Sequence, residues 1–339
     1  MKKSKKTKAT FFVLTAIVIC TIAFYMFAPL NKTGKTAYLY IDNDDNMDSV
    51  SMKLSAISRE YGITAVRTLA RHTGYENEIR SGRYEVGTGI GAFMLLHRLS
   101  NGQQTAMRLT IPSVRTADRL AEELSGKLMM SKTDLLNYLE NNDSCAKYGK
   151  DTATAVCLFI PDTYEVYWNI SPAKLLSKMK SASETFWKGS RTEKAARLGL
   201  TPDEVMTIAS IIDEETAYEP EKPMIAGMYY NRFKQGMPLQ ADPTIKFALR
   251  DFEIKRIYNN MLSVDSPYNT YKNIGLPPGP IRIPSVAGID AVLNLVHHDY
   301  MYMCAKEDFS GSHNFARTYQ EHLQNAERYS KALNERGVK

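Results

Sequence analysis

An uncharged apolar run near the N-terminus limits what this chain can fold into more than any other feature. Residues 9–30 read ATFFVLTAIVICTIAFYMFAPL, 22 residues without a charged side chain. About 20 apolar residues in a helix span the hydrocarbon core of a bilayer, so this run is long enough to cross a membrane. It is longer than a typical signal-peptide core, and no small-residue cleavage site follows it. We therefore predict an uncleaved signal anchor over residues 9–30, with a cleaved signal as the alternative.

The positive charge of the chain is concentrated ahead of this run. The net charge is +6, and five of the positive charges come from Lys2, Lys3, Lys5, Lys6 and Lys8. The remaining sequence has 38 basic and 37 acidic residues, which argues against a nucleic-acid partner. Because basic flanks stay on the cytoplasmic side, residues 1–8 are predicted to form a cytoplasmic tail of a single-pass protein, with residues 31–339 outside the cytoplasm.

Three segments after the anchor share one pattern, in which a short alternating strand leads through a polar or glycine-containing turn into a helix. They begin at AYLYIDNDD (37–45), GRYEVGTG (82–89) and AMRLTIPS (106–113). From about residue 171 helical patterns dominate, interrupted by proline-rich loops and short strands. Apolar residues 155–161 (AVCLFIP) and the alternating residues 237–249 (MPLQADPTIKFAL) are predicted strands. This mixture predicts an α+β fold rather than a regular alternation of strands and helices.

The four cysteines do not predict a disulfide framework or a zinc site. Cys20 lies in the apolar run, which leaves Cys145, Cys157 and Cys304 beyond it. Cys145 and Cys157 could pair across a short loop, but an odd number of exported cysteines favours free thiols.

The stretch TIASIIDEETAYEP, residues 207–220, places three acidic residues directly behind an apolar run. Thr201, Pro202 and the acidic residues after them are typical of a helix start, so a helix is predicted from 202 to about 217. Helical spacing puts Glu215 on the same face as three isoleucines, and turns Asp213 and Glu214 toward polar neighbours such as Ser210. A carboxyl against apolar surface has a raised pKa and can act as a general acid. The alternative is that Glu215 ends the apolar stripe and points to water.

Polar and aromatic residues downstream are candidates for binding a sugar. In the predicted strand over 237–249, Gln240, Asp242 and Thr244 share one face. The stretch SPYNTYKNIGLPPGP follows at 266–280 and contributes Asn269 and Tyr271. Aromatic faces beside amides and hydroxyls suit a sugar ring, which is apolar on its face and forms hydrogen bonds at its edge. Core tyrosines and an ordinary turn are the alternative.

Metal or phosphate chemistry is not predicted. His297 and His298 are adjacent, and His313 and His322 lie nine residues apart, so neither pair has the spacing of a compact metal site. We expect these histidines to be structural and expect no metal or cofactor. The stretch GTGIG at 87–91 lacks the lysine of a phosphate-binding loop.

Several of these stretches together resemble the MltG-type (YceG-like) endolytic murein transglycosylases. The resemblance rests on five stretches that follow one another in that family's order. In chain order they are FIPDTYEV, ASIIDEET, MYYNRFKQGMPLQADPTIKFAL, SPYNTYKNIGLPPGPIRIPS and the closing HNFARTYQEH. It implies that residues 37–79 form a membrane-proximal α/β segment, residues 80–158 a LysM-like α/β subdomain, and residues 159–339 a mixed α+β catalytic domain. It further implies attachment to the inner (cytoplasmic) membrane, peptidoglycan glycan strands as substrate, and peptidoglycan synthases as partners.

The same resemblance assigns the catalytic role to Glu215, the second carboxylate of a Glu-x-Glu-Thr motif whose first position is Asp213 here. The implied reaction cleaves the bond between N-acetylmuramic acid and N-acetylglucosamine and leaves a 1,6-anhydromuramic end. Gln240, Asp242, Thr244, Asn269 and Tyr271 are the candidate substrate-binding residues. Two alternatives remain open: a lysozyme-type hydrolase with Asp242 as its second carboxylate, and a membrane-anchored peptidoglycan-binding protein without catalysis.

Overall fold

The structure, a computed structural model, describes residues 2–336, and describes side chains from Lys8 onward. Met1, residues 337–339 and the side chains of the first lysines therefore lie outside the described residues. The described chain divides into two compact units. The first unit comprises residues up to Leu109 with Lys127–Met129 and Glu165–Ile170, and the second unit comprises the rest. The predicted domain boundaries after residues 79 and 158, with the LysM-like subdomain between them, stay predictions.

Helices dominate both units, and the strands form small sheets, which confirms the α+β prediction. In chain order the helices are α1 Lys2–Phe27, α2 Met47–Ser55, α3 Glu60–Thr73, α4 Ala92–Ser100, α5 Ala117–Ser125, α6 Lys132–Leu139, α7 Asn142–Ala146, α8 Pro172–Trp187, α9 Ser190–Leu198, α10 Pro202–Glu215, α11 Lys222–Lys234, α12 Asp242–Leu249, α13 Val286–Leu293 and α14 Tyr319–Glu335. The strands are β1 Ala37–Ile41, β2 Gly82–Val86, β3 Met107–Thr110, β4 Thr163–Val166, β5 Tyr302–Ala305 and β6 His313–Ala316. They pair as β1–β2, β3–β4 and β5–β6.

The apolar run is helical but shorter than predicted. Within α1, Lys8–Phe27 is a 20-residue segment of mean hydropathy 2.3 with no part buried in the protein, long and apolar enough to cross a membrane. Leu30, which we had assigned to the anchor, is instead fully buried in the core of the first unit. Its backbone N–H donates to the Ile90 carbonyl at 2.9 Å. The predicted end at residue 30 is therefore wrong, because the last apolar residues pack into the fold.

All three predicted strand–turn–helix segments are present, as β1–α2, β2–α4 and β3–α5. In the first unit β1 pairs with β2 in antiparallel register, Ala37 opposite Val86 and Ile41 opposite Gly82. Alternate residues of these strands are buried, with α2 packed against β1 and α4 against β2, as the period of two requires. Asn46 caps α2 and Thr116 caps α5, so the polar turns open the helices as expected.

The two predicted strands in the second unit are wrong. Residues 155–158 form a 3-10 helix, because Asp151 accepts hydrogen bonds from the backbone of Ala153 and Thr154 and starts a turn. The 237–249 stretch becomes a loop followed by α12, with Asp242 and Pro243 in its first turn, where an acidic residue and a proline are both favourable. An apolar or alternating pattern of this length does not separate a strand from a short helix.

The core of the second unit surrounds α10. Thr201 and Glu204 form a reciprocal capping box and Pro202 occupies the first turn, so the predicted helix start is confirmed. Residues 205–212 of α10 are all buried, and the helix packs against α9, α11, α12 and α13. Helix α13 approaches so closely that a Cβ at Gly288 would lie 2.5 Å from the Asp213 carboxylate. A larger residue there would have to displace the Asp213 carboxylate, so glycine permits the close packing of α13 on the last turn of α10.

All four cysteines, which are Cys20, Cys145, Cys157 and Cys304, have free thiols. This agrees with the expectation of free thiols from the sequence. The Cys145 thiol donates to the Tyr138 and Leu139 carbonyls, and Cys157 is fully buried, so both sit in the protein interior as unpaired thiols.

Candidate active site

A pocket of about 490 Å³ opens in the second unit beside the C-terminal end of α10. Residues from α10, α11, the loop before α12, the loop at Tyr271, and the β5–β6–α14 region form its walls. The lining residues are Glu215, Met228, Tyr229, Arg232, Leu239, Gln240, Asp242, Tyr271, Tyr302, Met303, Cys304, Ala305, His313, Tyr319 and His322. This one cleft contains two carboxylates, several tyrosines and two imidazoles.

Glu215 lies at the end of α10 and is half-buried, with its carboxylate facing the pocket. The hydroxyl of Tyr229, a buried residue of α11, donates to its Oε1 at 2.5 Å. No Lys, Arg or His nitrogen lies within salt-bridge distance of Glu215 in the described part of the chain. Among the described residues, the hydrogen-bond partner of this carboxyl is thus a neutral hydroxyl.

This environment changes the acidity of Glu215. Burial raises its pKa from the ordinary 4.5 to about 7. The hydrogen bond from Tyr229 lowers the pKa in part, while the negative charge of Asp242 raises it further. The direction agrees with the one expected from the helix spacing. Near neutral pH, both the protonated and the ionised form of Glu215 are therefore populated, which is what a group that gives and then takes a proton requires.

The other two acidic residues of the triplet are occupied by basic partners. Asp213 accepts from Lys222 Nζ at 2.7 Å and from the Ser285 backbone N–H at 2.6 Å, at the N-terminus of α13. Glu214 accepts from Arg115 Nε at 2.8 Å and from Arg282 Nη1 at 3.0 Å. These residues do point away from Glu215, as predicted.

Their partners differ from the predicted polar neighbours. Ser210 is fully buried, where it donates to the Thr207 carbonyl and accepts from the Ile281 backbone N–H. It therefore bonds to neither acidic side chain. Asp213 and Glu214 instead form ion pairs, where we had predicted neutral polar neighbours.

Three of the five predicted binding residues line the pocket with Glu215: Gln240, Asp242 and Tyr271. The Tyr271 hydroxyl donates to Asp242 Oδ1 at 2.5 Å, and Asp242 is in the first turn of α12, where the helix dipole favours a negative charge. Gln240 adopts a left-handed backbone, φ 54°, and its Oε1 accepts from Arg232 at 2.5 Å. This hydrogen bond holds the Gln240 side chain at the pocket wall.

Thr244 and Asn269 are not brought to the pocket, and both are fully buried. The Thr244 hydroxyl bonds to the Ala241 carbonyl and to Thr270, which fixes the turn before α12. The Asn269 amide donates to the Leu262 and Val264 carbonyls and its oxygen accepts from the Tyr271 N–H. Thr244 faces away because a helix turns residue 244 by about 200° from residue 242, whereas a strand would have kept both on one face.

The pocket also contains groups that the sequence did not assign to it, including His313, which we had expected to be structural. Tyr229 and Arg232 lie one turn apart on α11, and their spacing in MYYNR is the only local signal for them. His313 lies in the pocket wall, where Glu221 accepts from its backbone N–H at 2.7 Å and contacts Nδ1 at 2.8 Å. Because 92 residues separate Glu221 from His313, no short-range pattern could have paired them.

The site does not suggest a metal centre. Among the residues from 8 to 336, no group of three or more histidine, cysteine, aspartate or glutamate side chains is arranged to hold a metal ion.

Comparisons with known proteins identify relatives over most of the chain. A family model described as the YceG-like family matches residues 39–328. A protein of Bacillus subtilis named endolytic murein transglycosylase is 26% identical over 326 residues, which cover 91% of this chain and 89% of that protein. A Streptococcus pneumoniae protein of the same name is 26% identical over 92% of this chain, but the match covers 66% of that longer protein. A solved structure of a protein described as yceG-like, from Listeria monocytogenes, has a TM-score of 0.55 and 25% identity and covers 86% of this chain.

Proposed function

Because the chain belongs to the YceG-like family, we propose that it is an endolytic murein transglycosylase that cuts nascent glycan strands between N-acetylmuramic acid and N-acetylglucosamine. The observation that carries this proposal is Glu215, a carboxyl with a pKa of about 7 that faces a pocket and has a hydroxyl as its close partner. A single group of this kind can donate a proton and later accept one.

In the first step protonated Glu215 gives its proton to the glycosidic oxygen. The bond from muramic C1 to that oxygen breaks, and N-acetylglucosamine leaves with a free 4-hydroxyl. The negative charge left on Glu215 is stabilised by the Tyr229 hydroxyl at 2.5 Å. Asp242, in the same pocket, offsets the positive charge that develops at the muramic C1.

In the second step the muramic C6 hydroxyl attacks C1, and Glu215 takes the proton of that hydroxyl. The nucleophile belongs to the sugar ring already, so its effective concentration is high and no positioned water is needed. The product carries a 1,6-anhydro ring. No water is added, so the masses of the two products sum to the mass of the substrate.

The rival reaction is hydrolysis, and one observation favours considering it: Asp242 lines the same pocket as Glu215. A lysozyme-type enzyme uses two carboxylates that flank one bond. In this chain Asp242 Oδ1 is occupied by the Tyr271 hydroxyl, which leaves one of its oxygens for a water or a sugar carbon. The chemical form of the new muramic end distinguishes the two reactions: it is a 1,6-anhydro end after transglycosylation and a reducing end after hydrolysis.

The experiment uses the full chain in detergent with nascent, uncrosslinked glycan, followed by mass spectrometry. Anhydro-ended fragments are expected. Reducing ends would establish hydrolysis, and their loss in Asp242→Asn would identify Asp242 as the second carboxylate. Binding without any cleavage would establish a non-catalytic peptidoglycan-binding protein. Either of these results contradicts the proposal.

The helix Lys8–Phe27 supports attachment to the inner membrane by a single span. We further propose that residues 31–339 lie on the extracytoplasmic side, because the lysine-rich tail should stay in the cytoplasm, and that they act there beside peptidoglycan synthases. A reporter fused after Lys339 should be active only outside the cytoplasm. A reporter that is active inside, or protection of the C-terminal part from protease in intact spheroplasts, would contradict this orientation.

A further inference from the structure

A cluster of aromatic side chains forms the pocket wall that is contributed by β5 and α14. The Tyr302 ring stacks on the His322 imidazole, with centroids 5.4 Å apart and planes 24° apart. Tyr319 lies 5.8 Å from Tyr302 and 6.2 Å from His322. We call Tyr302, Tyr319 and His322 the aromatic wall. All three line the same pocket as Glu215, yet the proton transfers described above use none of them.

Tyr319 is the exposed member of this wall. It is 60% exposed, although it contacts two other rings. A large exposed aromatic side chain on the wall of a pocket is a surface that binding can cover. Tyr319 is not part of the hydrophobic core. Among the described residues of α14, Asn325 is the one that is buried.

His322 has a polar atom without a partner. Its Nδ1 is buried and makes no hydrogen bond within the described part of the chain. Burial lowers the pKa of His322, and the positive charge of Arg232 lowers it further, so the imidazole is neutral at neutral pH. An unpaired buried nitrogen is unfavourable, and a bound group that donates a hydrogen bond to it removes this penalty.

The wall is held by rigid elements. Tyr302 begins β5, which pairs with β6 in register, Tyr302 opposite Ala316. Tyr319 is the first residue of α14, and Thr318 and Glu321 form a reciprocal capping box around it. The Arg232 guanidinium, fixed by the Pro238 and Met301 carbonyls, lies 5.5 Å from the centre of the Tyr302 ring. Binding sites on such fixed elements lose little entropy when a ligand docks.

We propose that the aromatic wall of Tyr302, Tyr319 and His322 is a sugar subsite that holds one N-acetylhexosamine ring of the glycan strand, away from the bond that Glu215 addresses. This proposal rests on the proposed function for the identity of the strand. The apolar face of the ring packs on Tyr319, and a hydroxyl or acetamido group at its edge bonds to His322 Nδ1. Such a subsite engages the strand beyond the cleaved bond, which is what cutting within a strand requires.

The test measures binding to the full chain carrying Glu215→Gln, which cannot turn over its ligand. The probe is a hexamer of N-acetylglucosamine, which has no stem peptide, titrated by calorimetry. Adding Tyr319→Ala should weaken binding about tenfold, because a lost stacking contact is worth roughly one factor of ten in Kd. Tyr319→Phe keeps the ring and should bind nearly as well as the parent.

Leu323→Ala is the matched control, since Leu323 is also exposed on α14 but does not line the pocket. It should leave the Kd unchanged. His322→Phe keeps the stacked ring, removes Nδ1 and should weaken binding several-fold. Equal affinities for the Tyr319→Ala and Leu323→Ala proteins, or binding that appears only with ligands that carry stem peptides, would overturn the subsite.

These measurements distinguish a failure of the subsite from a failure of the proposed function. If the wild-type chain releases no anhydro ends but the Glu215→Gln protein binds the hexamer in a Tyr319-dependent way, the subsite stands and the activity fails. If the wild-type chain releases anhydro ends and Tyr319→Ala leaves KM for long strands unchanged, the activity stands and the subsite fails. The expected result is a KM for long strands about tenfold higher in Tyr319→Ala, with kcat little changed.

Discussion

The last turn of α10 has carboxylate side chains on two sides, and the two sides differ in the partners that these carboxylates have. On one side Asp213 and Lys222 form a buried ion pair, with side chains only 4% and 7% exposed, and Glu214 bonds to Arg115 and Arg282. On the other side Glu215 faces a pocket and bonds to the neutral Tyr229 hydroxyl. Three consecutive acidic residues thus include two that bond α10 to other parts of the fold and one that faces a pocket.

The difference lies in the partners rather than in the carboxyl groups. A basic partner stabilises the ionised form of a carboxylate, and removal of that partner leaves an uncompensated buried charge. A carboxyl that is surrounded by protein and paired with a hydroxyl instead has a raised pKa, about 7 for Glu215. The contrast is the basis on which we propose that Asp213 and Glu214 contribute stability and that Glu215 transfers the proton.

The largest expected effect is on catalysis. Glu215→Gln keeps the size of the side chain but can neither give nor take the proton, so the rate of release of anhydro ends should fall about 100- to 10,000-fold. The measurement is product mass spectrometry over time, with melting temperature as a check on folding. Glu214→Gln is the matched control on the same helical turn and should retain most activity. A Glu215→Gln protein that works at nearly the wild-type rate would contradict the role of Glu215 in proton transfer.

On the other side of the turn the effect should be on stability. Asp213→Asn leaves Lys222 buried without a counter-charge and should lower the free energy of unfolding by about 3–5 kcal/mol. Activity per folded molecule should remain mostly intact. Replacing both partners, Asp213→Asn with Lys222→Met, removes the stranded charge and should recover part of the loss. Chemical denaturation measures these changes, and a stable but inactive Asp213→Asn protein would give Asp213 a catalytic role instead.

The pH dependence of stability sharpens the same contrast. The folded-state pKa of Glu215, about 7, exceeds its ordinary 4.5, so the folded protein holds this proton between those values. Stability from this group is therefore present below about pH 4.5 and is lost as the pH rises toward 7, by roughly 1–3 kcal/mol. Glu215→Gln should remove this fall, whereas Glu214→Gln should keep it. The test is the unfolding free energy from pH 4 to 8, and identical slopes for both variants would contradict the assignment.

The smallest expected effects distinguish Asn269 from Gln240. Asn269→Ala removes a buried amide that bonds to the Leu262 and Val264 carbonyls, and should cost about 1–3 kcal/mol of stability. Gln240 is exposed at the pocket wall, so Gln240→Ala should weaken glycan processing a few-fold and leave the melting temperature nearly unchanged. Paired thermal and kinetic measurements check this, and a reversed pattern would place Asn269 in the binding surface.

These residues also show how far the sequence could be taken. Helix start signals and a spacing of three and four residues were enough to predict α10 and the distinct position of Glu215, because both depend on local geometry. The partner of Glu215 could not be predicted, since Tyr229 belongs to another helix whose packing is a tertiary event. The same holds for the pairing of Lys222 with Asp213 across nine residues and a change of helix.

The wrong predictions share a cause: in each, the local sequence pattern is compatible with two different structures. Residues 237–249 alternate like a strand, but the first turn of α12 forms at Asp242 and Pro243, and this change of period moved Thr244 from the predicted cleft into the core. Asn269 looked like an exposed turn residue, yet its amide bonds to three backbone groups. A polar residue in a loop can bind the backbone or a ligand, and the sequence does not distinguish the two.

The most direct test of the central claim is the titration of the Glu215 carboxyl itself. Carbon-13 NMR of the full chain with labelled glutamate side chains follows each carboxyl as the pH changes, and the Glu215→Gln protein identifies the resonance. We expect one glutamate carboxyl that titrates near pH 7 and is missing from the variant. A Glu215 resonance that titrates near its ordinary 4.5 would show a carboxylate ionised at neutral pH, and would contradict its role as the proton donor.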